Sequence, residues 1–230
     1  MTIVGWVDDV IERTEAALDG QGDPERAAGA EHYMKGVAPF LGLTAGERRS
    51  LLRAAWAGLG TPTSDELGDA STQLMTFDER EFHYAATDLT ARFRRAADAD
   101  FLDRWAERLL TTKPWWDTVD GFGSSIVCPF GRDHDVTATI DRWSESGDIW
   151  LVRSAIQHQR GWKDDTDIVR ALELCDRHWS NREFFVAKAI GWALRDLTRL
   201  DPPAVRRFLD THPEPNRVAV REAERGLART

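Results

Sequence analysis

The chain has 230 residues, of which 42% are hydrophobic and 30% charged, with only 9 prolines. This is a globular composition rich in helix formers, which excludes an extended disordered chain and fits a single domain over residues 1–230. A formal net charge of −9 excludes nonspecific nucleic-acid binding by the whole surface, although a local basic face stays open. The two cysteines, Cys128 and Cys175, have no ligand-like spacing and point to a reducing compartment, the cytoplasm. Asp8 and Asp9 interrupt Ile3, Val4, Trp6 and Val7 too early for a signal peptide, and no apolar run is long enough to span a bilayer.

In chain order, Ile3, Val7, Val10, Ile11 and Leu18 carry a helical period that Gly20 stops, and Asp23-Pro24 starts the next helix. Capping boxes at Thr44 to Glu47 and Thr63 to Glu66 predict two further starts, joined by the similar Asp78 to Glu81 and by Ser180 to Glu183. Between them run the stripes Leu51, Leu52, Ala55, Trp56, Leu59; Phe82, Ala85, Ala86, Leu89, Phe93; and Phe101, Leu102, Trp105, Leu109. The stretch from Gly121 to Gly131 reads as a loop, because glycines and Pro129 interrupt the pattern. No alternating segment predicts a strand. Short helices joined by tight polar turns predict an all-α fold of stacked helix pairs, a HEAT-like solenoid with a concave face, with an irregular bundle as the alternative.

Two segments place a bulky aromatic beside charge. On a helix, the i,i+4 spacing of Trp116 and Asp120 puts indole and carboxylate on one face, and Lys188, Trp192 and Arg195 share a face by the same arithmetic. Two such faces turned toward each other would make a site, whereas each alone fits a core tryptophan, a helix-terminal acid or a solvated rim. Asp117 points elsewhere and suits a cap. Arg153, Gln157 and Arg160, at i, i+4 and i+7, form a polar stripe of the kind that is usually solvated. His134-Asp135 has the look of a metal-hydrolase pair but lacks a second histidine at helical spacing, so no metal is expected. There is no phosphate-cradling glycine loop, and Ser124-Ser125 lacks a nucleophile-elbow context.

The chain resembles the AlkD-like DNA alkylation repair glycosylases over roughly residues 24 to 225. The matching segments are Tyr33-Met34-Lys35 with Phe40-Leu41-Gly42 and Arg48-Arg49; Arg80-Glu81-Phe82 with Tyr84-Ala85-Ala86; Lys113 through Asp120; Trp150 through Gln159; Lys163 with Thr166-Asp167; and Glu183 through Arg195. The resemblance implies HEAT-like repeats and removal of cationic N3- and N7-alkylated purines from duplex DNA, without metal or cofactor and without base flipping. It implies that Trp116 and Trp192 contact the lesion's deoxyribose, that Asp120 is the catalytic carboxylate and that Arg153 faces phosphate. Lys113, Lys188, Arg195, Tyr33, Lys35 and Gln157 complete the expected DNA-binding set. Double-stranded DNA is the expected partner of a monomer with no obligatory protein partner and no membrane attachment. Asp196, Trp162 and the glycine-rich 121–131 segment depart from the family pattern. The rival readings are a non-enzymatic HEAT-like scaffold and a structure-specific DNA-binding protein, neither of which needs Asp120.

Overall fold

The computed structural model describes residues 5–212 and 216–229; Ile3 and Val4 lie outside them. Among the described residues the architecture is all-α, in the helical-repeat class expected. Its contacts divide it into two compact units, Met1–Ile126 and Val127–Thr230.

The first unit contains α1 (Trp6–Leu18), α2 (Pro24–Tyr33), α3 (Ala45–Ala55), α4 (Ser64–Leu74), α5 (Arg80–Phe93), a π-helical turn at Leu102–Ala106 that runs into α6 (Glu107–Thr111), and α7 (Trp116–Phe122). Helix α1 packs on α3 and α4, α4 on α5, and α5 on α3 and α7. Val10, Leu18, Leu52 and Leu89 of the predicted stripes are 1% exposed or less, and α4 adds Leu67 and Leu74, which no predicted stripe contained, at 0%. Buried Trp56 keeps its indole N–H satisfied by donating to Thr14 Oγ1 at 2.9 Å, which avoids the cost of an orphaned donor in the core.

The second unit contains α8 (Cys128–Asp133), α9 (Thr137–Glu145), α10 (Ile149–Gln157), α11 (Ile168–Arg177), α12 (Phe184–Leu197), α13 (Pro202–Asp210) and α14 (Arg217–Leu227). Helix α10 lies against α9 and α12, and α12 against α14. At Gly191 that last contact is backbone-close: an added Cβ would sit 2.8 Å from Glu222 Cβ and 3.0 Å from Ala219 Cα. Glycine is what lets these two helices approach.

Local signals set most helix starts. Asp23 accepts from Arg26 N at 2.8 Å with Pro24 in the first turn, and both threonine capping boxes form. Two expected starts are displaced. Helix α5 begins at Arg80 behind extended Glu79 with no side-chain cap, because Glu81 turns away to accept from the backbone N–H groups of Leu41, Gly42 and Leu43 at 2.9, 2.9 and 3.1 Å. Helix α12 begins at Phe184 behind Glu183 with no side-chain cap, and just before it Asn181 Oδ1 accepts from Glu183 N at 2.9 Å.

The 121–131 segment is helical, not a loop: α7 passes through a π-helical stretch, Gly123–Val127, into α8. The helix survives the glycines because Gly121 packs on α5, where a Cβ would meet Thr87 Cγ2 at 2.9 Å. Pro129 is the second residue of α8 and directly follows the π-helical stretch, the kind of local irregularity that accompanies a proline inside a helical run.

Candidate DNA-repair site

In the first unit, α7 places Trp116 and Asp120 one turn apart and both half-buried, as the spacing predicts. Tyr33, at the end of α2 and 69% exposed, meets the Trp116 ring edge-on at a centroid distance of 6.5 Å. Lys35 follows two residues later, exposed, with a left-handed φ of 64°.

Asp117 is no cap. Its carboxylate takes Nη2 and Nε of Arg80 at 2.5 and 3.2 Å and the Tyr84 hydroxyl at 2.5 Å. Arg80 uses all five of its N–H donors: two on Asp117, the others on Thr118 Oγ1, the Lys113 carbonyl and His83 Nδ1. A guanidinium can only donate, so His83 Nδ1 is the acceptor and Nε2–H donates to the Phe77 carbonyl at 2.8 Å. Burial, reinforced by the Arg80 charge, lowers the His83 pKa to about 4, so the ring is neutral at pH 7. Burial and the Asp117 charge hold the Tyr84 phenol above its ordinary range. This network anchors the first turn of α7, and sequence reading missed it because Arg80 and Asp117 lie far apart along the chain.

Lys113 is also held, at a φ of 42°. Its ammonium donates to the carbonyls of Thr76 and Phe77 at 2.8 and 2.6 Å and to Asp78 at 3.0 Å. Among the described residues, the non-glycine positions with left-handed φ are Lys35, Lys113 and Lys163. Each costs strain that a glycine would not, and such outliers concentrate where function holds them.

In the second unit, Trp192 is half-buried within a ring of cations. The guanidinium carbons of Arg153, Arg160 and Arg195 lie 5.3, 4.9 and 5.6 Å from its ring centroid, and Lys188 Nζ lies at 6.0 Å. These are cation–π distances. Lys188 and Arg195 each also pair at 2.7 Å with Glu222, whose side chain is 3% exposed, and Arg225 adds a third contact at 3.0 Å. Burial pushes the Glu222 pKa up, but the Lys188 hydrogen bond and the charges of Lys188, Arg195 and Arg225 outweigh it and leave it below the ordinary value. Glu222 carried no sequence signal as a site residue, since Lys188 and Arg195 sit on α12 and only Arg225 is a neighbour on its own helix.

The predicted solvated stripe is instead buried. Arg153 is 2% exposed and donates to the Phe185 carbonyl at 2.8 Å, and Gln157 is 8% exposed. Helix α10 ends at Gln157, so Arg160 leaves the stripe and lies in the following turn. The buried face follows from α12 packing on the side of α10 that carries Arg153. His134 stacks on Phe130 at 4.1 Å, and Asp135 accepts from Thr137 N at 3.0 Å.

With this geometry in hand, residues 14–227 match the family model described as DNA alkylation repair enzyme. The chain belongs to that family. Its role is therefore in DNA repair, as an enzyme acting on alkylation damage. The fold is also similar to the solved structure of a predicted DNA alkylation repair enzyme from Enterococcus faecalis. That likeness has a TM-score of 0.81 and 26% identity and covers 93% of this chain and 100% of that one. No curated protein matches the chain. Among the described residues, no helix is long and apolar enough to cross a membrane.

Proposed function

We infer that this family member is a DNA glycosylase. It hydrolyses the N-glycosidic bond of positively charged N3- and N7-alkylated purines, of the 3-methyladenine and 7-methylguanine type, in duplex DNA. The observation that carries this reading is the division of labour on α7. Asp117 is held by Arg80 and Tyr84 in the first turn, while Asp120, one turn beyond Trp116, is half-buried on the same side of the helix as the indole.

The chemistry suits one carboxylate. A cationic purine is already a good leaving group: the C1′–N bond breaks, its electron pair neutralises the base, and the sugar is left as an oxocarbenium ion. Asp120 stabilises that cation and orients a water whose oxygen bonds to C1′ while its proton passes to Asp120 and then to solvent. The family resemblance assigns Trp116 and Trp192 to the lesion's deoxyribose, and electron-rich indole faces favour an adjacent cation. No step requires the base to leave the stack.

Phosphate contacts fall to Lys35, Lys188 and Arg195, with Tyr33 beside Trp116. The burial of Arg153 and the carbonyl contacts of Lys113 suit alignment of neighbouring groups better than reach toward a phosphate. Incubation of the protein with duplex DNA containing N7-methylguanine, followed by alkaline cleavage, tests the reading. Free N7-methylguanine and strand breaks at the modified position are expected. DNA binding with no base release would instead support the structure-specific binder, and neither would support the scaffold.

A further inference from the structure

Beside Trp192, within the second unit, the end of α10, the 158–167 turn, α11 and the end of α12 enclose a cavity of about 420 Å³. Its walls are mostly apolar, made by Ile156, Ala171, Ala193, Leu197 and Leu200, and Trp192 is its aromatic side. Two buried amides line it. Gln159 is bound to the backbone of Asp167 through both amide ends, Oε1 accepting at 2.6 Å and Nε2 donating at 3.3 Å. Gln157 is different: Arg160 Nη1 lies 3.5 Å from its Oε1, and since arginine can only donate, the orientation of the amide is fixed. The Gln157 Nε2 donor is left with no acceptor among the described residues, on a side chain whose residue is 8% exposed.

The rim is charged. Arg199 and Asp196 lie 3.9 Å apart and offset each other, whereas Lys163, with a φ of 55°, has no acid paired with its ammonium among the described residues. Arg160 flanks Lys163 at the same mouth.

An indole wall, an apolar interior, one lining amide donor and a rim on which Arg160, Lys163 and Arg199 outnumber Asp164 and Asp196 match a flat heterocycle with a ring acceptor, tethered to an anion. We propose that this cavity is a nucleotide site. The base stacks against Trp192 and accepts from Gln157 Nε2, and the phosphate lies at Lys163 and Arg160. The occupant is not the lesion, whose sugar rather than its base is assigned to Trp192. A free mononucleotide and an unpaired nucleotide swung out of a duplex offer this same chemistry.

The test is calorimetric titration of the full chain with dAMP, deoxyadenosine and inorganic phosphate, in parallel with a duplex bearing one unpaired adenosine and its fully paired counterpart. These binding readouts stand apart from base release, so failure of the glycosylase reading leaves them interpretable. Saturable dAMP binding at least tenfold tighter than deoxyadenosine or phosphate assigns the site to free nucleotide. A tenfold preference for the unpaired duplex without dAMP binding assigns it to an extruded nucleotide. In either case Ala193→Phe, which fills the half-buried wall, removes the preference, and Lys163→Glu, on the exposed rim, weakens it about tenfold with unchanged melting. Absence of both preferences, or their persistence in a folded Ala193→Phe protein, overturns the proposal.

Discussion

Arg80 and Asp117 are joined by a forked ion pair, at 2.5 and 3.2 Å, with side chains only 1% and 9% exposed. The two parallel contacts fix orientation as well as distance. Because Asp117 immediately follows Trp116, this pair sets where the proposed catalytic turn of α7 begins.

Removing one partner of a buried pair leaves the other charge uncompensated, at a cost of about 3–5 kcal/mol. Arg80→Met and Asp117→Asn are therefore each expected to lower the melting temperature by roughly 10 °C in a chain of this size. Tyr84→Phe, which removes one hydrogen bond to the same carboxylate, is expected to cost only about 1–3 kcal/mol. Thermal melts of the three variants check this ordering, and equal losses would mean that the fork is not the dominant contact.

Asp120→Asn has the opposite signature. The amide keeps the shape and loses the charge, so melting is expected to stay near that of the unaltered protein. Excision is expected to slow about a hundredfold, equivalent to about 3 kcal/mol of transition-state stabilisation. Single-turnover excision at a normal rate by folded Asp120→Asn protein would sink the mechanism.

Glu222 holds Lys188 and Arg195, so it competes with any phosphate for them. Glu222→Gln is expected to tighten duplex binding at low salt and to steepen the dependence of log K on log salt by roughly one contact, since each cation freed for phosphate displaces counterions. Titrations at several salt concentrations measure the slope. A shallower slope would show that Glu222 aligns these cations rather than restraining them.

Two histidines set an acid limit on stability. Burial lowers the pKa of both His83 and His158 to about 4 from an ordinary 6.5. Between those values the unfolded chain binds protons that the folded chain does not, so the stabilisation is complete above about pH 6.5 and is lost as pH falls toward 4. The loss is bounded at about 3 kcal/mol per histidine. Denaturant melts at pH 7.5, 6 and 5 should show a falling midpoint, and a flat series would count against both neutral, buried rings.

What was legible in the sequence is what acts within a few residues. Thr44 with Glu47, Thr63 with Glu66 and Asp23 with Pro24 mark helix starts because a cap and its target are neighbours. The i,i+4 spacing of Trp116 and Asp120 is legible for the same reason. Glu81 fits a capping pattern equally well, yet three backbone amides of a distant loop claim it. Arg153 shows the same limit from the other side: a polar stripe reads as solvated until the packing of another helix buries it. Asp117 and Glu222 depend on partners 37 and 34 or fewer positions away in sequence, and no local pattern encodes such a pairing.

The Glu81 carboxylate has a consequence for the exposed turn that precedes its loop. Helix α2 closes on Lys35 and Gly36 with the paired bonds Gly36 N to Glu31 O at 2.9 Å and Lys35 N to His32 O at 3.2 Å, and Glu31 reaches forward to accept from Phe40 N at 3.1 Å. Glu81 then pins residues 41–43. The turn carrying Tyr33 and Lys35 is thus fastened at both ends, and little ordering entropy is left to lose when a partner docks there. Its amide protons, although the turn is at the surface, should exchange with solvent more slowly than those of an untethered turn.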